Sequence, residues 1–275
     1  MNSRLTTETV EGSLAKIPRD SIARSFGDAA ASYDTFAMLQ RKVADRLMQK
    51  IDASIHPLAM LDLGCGTGYC AAEMAKRYAE AALVAMDLAL PMLQKTAERE
   101  DQACLVCGDA QELPFADNAF DLVICSLTLQ WCAAPSNVMR ELFRILKPGA
   151  TALLSTFGPA SLEALRLAYS SVDDQVHVNE FIPLDAMVEA AHDASLVCTA
   201  TVETETRHYS SLQALARELK GIGAHNMNSG RPAGLTGKQK FSRACAAFAA
   251  MADQQGGVPV DYEILYLQLS KPSEE

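Results

Sequence analysis

Apolar positions change their period along the chain. Ile22, Phe26, Tyr33, Phe36, Leu39, Val43 and Leu47 recur at spacings that suit one buried helix face, which predicts two or three short helices between residues 20 and 52. The run from Pro57 to Leu63 is apolar but for Asp62, and it breaks into Gly64, Gly66 and Gly68. An Ala-rich helical pattern then runs from Tyr69 to about Ala79. The same alternation repeats: a strand over Ala82–Asp87, a helix over 90–99, a strand over 103–107, a loop at Asn118 entering a strand to Cys125, an amphipathic helix Pro135–Leu146, and a strand Ala150–Phe157. Strands alternating with helices are the signature of a parallel, doubly wound sheet. Helices follow at Pro159–Tyr169 and Pro183–His192, then strands at Leu196–Arg207 and Tyr262–Leu269, with helices near 211–221 and 238–252 between those two strands. The expectation is one α/β domain over 19–275 with a seven-stranded, mostly parallel sheet. Helical lid elements are expected at about 20–52, 158–193 and 210–256, after a flexible polar segment 1–18.

Composition narrows the class. The 275 residues are 49% hydrophobic and 21% charged, ordinary for a globular chain with a sizeable core. A net charge of −10 argues against a general nucleic-acid or anionic-membrane binder. No apolar run reaches the length of a membrane span, and Met1–Asp20 has no signal-peptide core, so a cytoplasmic location is expected. Eight scattered cysteines read as buried free thiols in a reducing compartment. Cys104 and Cys107 lie three apart on an expected strand, hence on opposite faces, and no metal site is expected.

Candidate chemistry starts at Leu61-Asp62-Leu63-Gly64-Cys65-Gly66-Thr67-Gly68. Alternate glycines between a strand and a helix let a ligand lie close to the main chain, at the carboxyl end of a strand where open α/β sheets bind ligands. The pattern is neither the dinucleotide fingerprint nor a phosphate loop with its Lys-Ser/Thr pair. It resembles motif I of class I S-adenosylmethionine (SAM) methyltransferases, which implies a Rossmann-like fold. Asp87 ends the second strand nineteen residues after Gly68, near the offset at which a carboxylate reaches ribose hydroxyls, and a carboxylate offers acceptors only. Gly108-Asp109-Ala110, Phe120-Asp121-Leu122-Val123 and Leu146-Lys147-Pro148-Gly149 are similar to further elements of that family. The resemblance implies that Asp109 accepts from the adenine amino group with Ala110 beside it, and that Gly64, Gly66, Gly68, Asp87 and Leu88 complete the cofactor site. Asp121 reads as a structural acid, and Asp62 as an organiser of the glycine turn. Trp131, the only tryptophan, either packs beneath its loop or, with Gln130, walls the pocket near the reacting methyl.

A charge anomaly marks the lid. From Arg207 to Arg243 there are seven Arg and Lys residues and one acid, Glu218. An excess of six positive charges in a chain of net −10 suggests an anionic partner or substrate. Within it, Gly221-Ile222-Gly223-Ala224-His225-Asn226, Gly230-Arg231 and Gly234-Leu235-Thr236-Gly237-Lys238 combine glycines with polar and basic groups, a composition suited to presenting backbone donors and charge to an oxyanion. His225, Asn226, Arg231 and Lys238 are the candidate acceptor-binding residues.

Those lid sequences, with Val258-Pro259-Val260-Asp261-Tyr262-Glu263-Ile264-Leu265-Tyr266, Ser25-Phe26, Ala31-Ser32-Tyr33-Asp34, Leu39-Gln40-Arg41 and Leu129-Gln130-Trp131-Cys132, resemble the malonyl-acyl-carrier-protein O-methyltransferase (BioC) family of biotin biosynthesis over roughly residues 20–270. The resemblance implies methyl transfer from SAM, leaving S-adenosylhomocysteine, to the free carboxylate of a malonyl thioester on an acyl-carrier protein (malonyl-ACP) that docks on the basic lid. It implies that Tyr33 covers the methyl and that Trp131 and Arg231 help to position the acceptor. A carboxylate is already ionised near neutral pH, so no general base is required. Two rival expectations remain: a SAM-dependent methyltransferase of another small acid or a quinone, and a SAM-binding assembly factor.

Overall fold

The computed structural model describes residues 17–224, 237–254 and 256–273. Its elements in chain order are α1 (Arg19–Ala29), α2 (Tyr33–Phe36), α3 (Met38–Gln49), β1 (Ala59–Leu63), α4 (Tyr69–Arg77), β2 (Ala82–Asp87), α5 (Leu90–Arg99), β3 (Cys104–Cys107) and β4 (Phe120–Ser126). A 3-10 turn, Leu129–Trp131, precedes α6 (Pro135–Ile145), β5 (Leu146–Phe157), α7 (Glu163–Ser170), α8 (Leu184–Asp193), β6 (Val197–Tyr209), α9 (Leu212–Gly221), α10 (Lys238–Ala249) and β7 (Val258–Ser270). The seven strands form one sheet in the order β3-β2-β1-β4-β5-β7-β6. All neighbours are parallel except β7, which runs antiparallel to β5 and β6.

Central strands read as nearly continuous apolar runs, interrupted by Asp62 in β1 and Asp121 in β4, because helices cover both faces. Met60 points into a core with Val43 and Leu47 of α3 and Met74 of α4, whereas Leu61 and Leu63 point into a second core with Met139 and Leu142 of α6 and Met187 of α8. The edge strand β6 alternates between exposed and half-buried positions. Along α3, Lys42 meets Glu205 at 2.6 Å, while Arg46 and Lys50 meet Glu203 at 3.0 and 3.3 Å. The chain direction of strand order reverses between β1 and β4, which opens a crevice at their carboxyl ends.

Three elements start four residues away from the sequence expectation. β5 begins at Leu146, paired with Phe120 across an irregularity in register, so Lys147-Pro148-Gly149 lies in the strand instead of ending the helix. There Lys147 bonds Asp121 Oδ2 at 2.9 Å, and the same oxygen accepts the Leu58 and Ala59 N–H groups at 3.0 and 2.9 Å. Asp121 thus fastens three strand starts. The helix expected from Pro159 begins only at Glu163, after Leu162 in the left-handed region at φ 63°. β7 starts at Val258, four residues early, because Val258 pairs with Tyr209 at the end of β6.

The cysteine expectation also needs correction. Cys65, Cys70, Cys125 and Cys132 are buried, but Cys104 and Cys107 are exposed, and Cys198 and Cys245 are half-buried. β3 is an edge strand, so its side chains lack a full cover. No helix among the described residues is long and apolar enough to cross a membrane.

Asp62 stands in the middle of β1 and is 1% exposed. Among the described residues its Oδ2 has no hydrogen-bond partner. Burial pushes its carboxyl up to about 7, partly offset by the Ala71 N–H and reinforced by Asp87. Between about pH 4 and 7 the folded chain keeps this proton while the unfolded chain has lost it, so Asp62 makes folding less favourable as pH rises through that window. At about 1.4 kcal/mol per pH unit the effect is on the order of 4 kcal/mol. Asp62→Asn is therefore expected to flatten the fall in Tm between pH 4 and 7 and to raise Tm above pH 7. Parallel Tm–pH curves for the two proteins by calorimetry would refute the assignment.

Candidate active site

The glycine turn after β1 is held from below by β2. Gly64 and Cys65 both donate to the Met86 carbonyl, at 2.7 and 2.9 Å. Gly66 N–H donates to Asp87 Oδ2 at 2.9 Å, and Ala89 N–H donates to Asp87 Oδ1 at 2.8 Å. The Asp87 carbonyl accepts from Gly108 N–H at 3.1 Å. One residue thus ties the loops after β1, β2 and β3 together. Burial pushes the Asp87 carboxyl up, against the lowering effect of N–H groups at Ala89, Gly66 and Leu88. Gly64 (φ 74°) has no room for a side chain, since a Cβ would lie 2.1 Å from Thr128 Oγ1. Gly66 (φ 55°) is different: a Cβ there would meet nothing within 4 Å, because its surface is open to the cavity.

That cavity is walled by Gly64, Gly66, Asp87, Leu88, Asp109 and Ala110, with Tyr33 and Trp131 at another side. Eight of the residues expected from sequence therefore converge. Gly68 does not line it. A Cβ at Gly68 (φ 79°) would approach Thr96 Cγ2 to 2.8 Å and its Cα to 3.0 Å, so this glycine serves the packing of α4 against α5. An open glycine backbone, a carboxylate at the end of β2 and a second one after β3 fit the adenosine and amino-acid parts of SAM. Asp109 already has donors on both oxygens: Gln111 N–H at 2.8 Å on Oδ1 and Arg19 Nε at 2.6 Å on Oδ2. The Gln111 side-chain amide adds longer contacts to both, at 3.3 and 3.4 Å, so an adenine amino group would take the place of that amide. Arg19 reaches the cavity wall from α1 and was not singled out from sequence, where nothing marks it among the surface cations.

A second cavity adjoins the first. Phe26, Tyr33, Leu127 and Trp131 belong to both walls. Trp131 faces both cavities and also packs edge-on against Phe26, with centroids 5.1 Å apart at 83°. Gln130 lines the second cavity, but its amide is already used, donating to the Leu127 carbonyl at 2.7 Å and accepting from Thr156 Oγ1 at 3.0 Å. Burial, then Asp87 and nearby groups, push the Tyr33 phenol well above its ordinary range, so it stays a donor. Its position is fixed by its neighbour Asp34, which accepts from Thr67 Oγ1 at 2.8 Å and pairs with Arg99.

The rest of the second cavity is largely apolar, with Phe157, Leu162, Leu165 and Phe181, and its polar members include His177 and Glu218. His177 stacks on Tyr169 with centroids 3.8 Å apart, and its Nε2 meets Asp173 Oδ1 at 2.7 Å. Sequence reasoning missed this pair. Its only signal was an Asp and a His four residues apart in a segment without helical patterning.

The lid expectations fare unevenly. His225, Asn226 and Arg231 lie outside the described residues, and so does the side chain of Lys238, whose backbone opens α10. Gly221 and Gly223 do not present donors to a ligand. A Cβ at Gly221 would lie 2.2 Å from Phe36, and one at Gly223 (φ 74°) would lie 2.8 Å from the Ser25 carbonyl. Their carbonyls accept from Ser32 and Ser25, each at 2.9 Å. These glycines exist to seat α9 against α1 and α2. The basic excess is also partly spent within the chain: Arg207 pairs with Glu218 at 2.9 Å, Lys240 with Asp173 at 3.1 Å, and Arg243 donates to the Ser171 carbonyl at 2.9 Å. Counting charge along one window could not see Asp173.

Comparison with known proteins agrees with this geometry. Residues 61–154 match the family described as Methyltransferase domain. The Malonyl-[acyl-carrier protein] O-methyltransferase of Laribacter hongkongensis is 36% identical over 268 residues, covering 93% of this chain and 90% of that protein. The chain belongs to the malonyl-acyl-carrier-protein O-methyltransferase family. The Biotin biosynthesis bifunctional protein BioHC of Cellvibrio japonicus is 42% identical over 258 residues, covering 93% of this chain. This family member spans about half the length of such bifunctional relatives, 51% for that one. Among solved structures, the phosphoethanolamine N-methyltransferase 2 of Haemonchus contortus with S-adenosylhomocysteine superposes with a TM-score of 0.58 at 17% identity, over 93% of this chain and 60% of that one. The [4+2]-cyclase SpnF gives 0.53 at 16% identity, over 85% of this chain and 82% of that one. At such identities the fold is shared and the reaction is not implied.

Asp87→Ala removes the loop tie and a cavity-wall carboxylate that the SAM ribose is expected to meet. It is expected to raise the Kd for SAM by about ten-fold or more, the scale of hydrogen bonds to a charged group. Titration calorimetry on variant protein whose melting curve remains cooperative checks this; an unchanged Kd would remove Asp87 from the site.

Proposed function

We propose that this chain transfers the methyl group of SAM to the free carboxylate of a malonyl thioester carried on an acyl-carrier protein, forming the methyl ester used in biotin biosynthesis, in the cytoplasm. The observation that carries this reading is the meeting of two cavities at one wall of Phe26, Tyr33, Leu127 and Trp131. One cavity offers the glycine backbone and carboxylates suited to SAM; the other is a separate space for an acceptor. Relatives named for this reaction supply the acceptor's identity.

Bound SAM supplies an electrophilic methyl on a sulfonium. An ionised carboxylate attacks such a carbon without losing a proton, so the chain's task is alignment and exclusion of water. Phe26, Leu127 and Trp131 make the junction apolar. Tyr33 keeps its proton and donates to the acceptor oxygen that does not attack. A cation held firmly on the attacking oxygen would favour the ground state, because charge disappears as the ester forms. Arg231 and Lys238 accordingly recruit the acidic acceptor, and the basic lid meets an acidic carrier protein.

His177 paired with Asp173 in an apolar cavity favours one second reading, methylation of a ring carbon with His177 as base. Labelled SAM with malonyl-, succinyl- and acetyl-carrier protein and a ring substrate separates the two. Label in the malonyl carrier alone is expected, and label in none of the carriers would sink the proposal. Tyr33→Phe should lower kcat/KM for the malonyl carrier about ten-fold while leaving the Kd for SAM within about two-fold, as loss of one bond to a charged group predicts. His177→Gln should leave turnover of the carrier without a new pH dependence, whereas a base would be indispensable.

A further inference from the structure

The second cavity contains a carboxylate that a carboxylate acceptor does not call for. Glu218 of α9 lines it together with Tyr262 of β7 and Gln40 of α3. Both protein donors to Glu218 land on one oxygen: Arg207 Nη1 and Tyr209 OH reach Oε1 at 2.9 and 2.8 Å. Among the described residues, Oε2 receives no donor. Tyr209 gives its single proton to Glu218, so in the 3.0 Å contact between the two phenols it is Tyr262 that donates to Tyr209. Tyr262 then has only lone pairs left for a ligand. Gln40 lines the same part of the cavity with an amide that offers both a donor and an acceptor. None of these three residues belongs to the wall shared with the cofactor cavity.

This part of the cavity thus has an excess of acceptors, one of them charged. Such a site binds N–H or O–H donors, and an unmatched polar group makes it reject ligands that lack them. The reacting carboxylate belongs at the Tyr33 wall, and a neutral donor-bearing part of the acceptor belongs here. Resting on the function proposed above, we infer that Glu218, supported by Arg207 and Tyr209, is a specificity-determining residue that accepts a hydrogen bond from an amide N–H in the arm linking the thioester to its carrier. Arg207 holds Oε1 and leaves Oε2 as the acceptor; an acidic arm at the same place would bring no donor to it. The site would distinguish a thioester on an amide-bearing arm from one on a plain alkyl or acidic arm.

The test uses small thioesters in place of the carrier: the malonyl thioester of N-acetylcysteamine, and its ester isostere made from 2-mercaptoethyl acetate, which differs by the one N–H. Methyl transfer from labelled SAM is measured for the wild-type chain and for Glu218→Gln, which keeps the shape and an oxygen for Arg207 but turns the other atom into a donor. The wild-type chain should prefer the amide by about ten-fold or more in kcat/KM, mostly through KM. In Glu218→Gln that ratio should collapse toward one, with the Kd for SAM unchanged by calorimetry. A third thioester, on 3-mercaptopropionate, carries a second carboxylate and should gain activity in the variant relative to wild type. Equal turnover of amide and ester by the wild-type chain would overturn the inference while leaving malonyl methylation intact, and so would an amide preference that survives in Glu218→Gln. Failure of the wild-type chain to methylate any malonyl compound, carrier-bound included, would instead remove the proposed function and this subsite with it.

Discussion

The backbone and side chain of Asp87 are the tie on which the site depends. Its two carboxylate oxygens hold Gly66 and Ala89, and its carbonyl holds Gly108. Three loops leaving three adjacent strands therefore share one anchor. Each loop alone would sample many conformations, and ordering each costs entropy. A single half-buried acid that bonds all three makes their arrangement cooperative. Its raised carboxyl shows the cost of taking a charge out of water, a cost that backbone N–H groups only partly offset. The sites expected to meet SAM are the surfaces these loops leave open.

The second organising relation joins the sheet to the helices packed over it. Asp34 bonds Thr67 in the glycine turn and pairs with Arg99 at the end of α5. Ser25 and Ser32 bond the carbonyls of Gly223 and Gly221, where α9 ends. Tyr33 is thus clamped between the turn after β1 and a helix inserted between the last two strands. Phe26 and Trp131 lock the same corner by an edge-on aromatic contact. Such contacts favour offset or perpendicular rings because of the quadrupole of each ring. The wall between the two cavities is therefore made by pieces of chain far apart in sequence.

Charge around the second cavity follows a division of labour. Cations expected to attract an anionic partner are partly engaged with Glu218, Asp173 and a main-chain carbonyl. The junction itself is apolar and hydroxyl-bearing. This arrangement suits a reaction in which opposite charges vanish together, since strong ground-state pairing at the attacking oxygen would oppose transfer. Local attraction is best placed away from the reacting atoms, where it affects encounter and orientation.

The sequence by itself determined the alternation of strands and helices, the glycine turn and the acid at the end of β2, because each rests on local chemistry: burial on both faces, positive φ, and a fixed offset within one βαβ unit. Boundaries slipped where pairing partners lie elsewhere, as at Leu146 with Phe120 and Val258 with Tyr209. Roles slipped for the same reason. Gly68, Gly221 and Gly223 read as ligand-facing, yet what fills the space beside them is Thr96, Phe36 and Ser25. Arg19, the His177–Asp173 pair and the acceptor-rich group around Glu218 became visible only in three dimensions. Hydrogen bonds and cavities are made between chain segments, and no spacing along one segment encodes which partner the fold will bring.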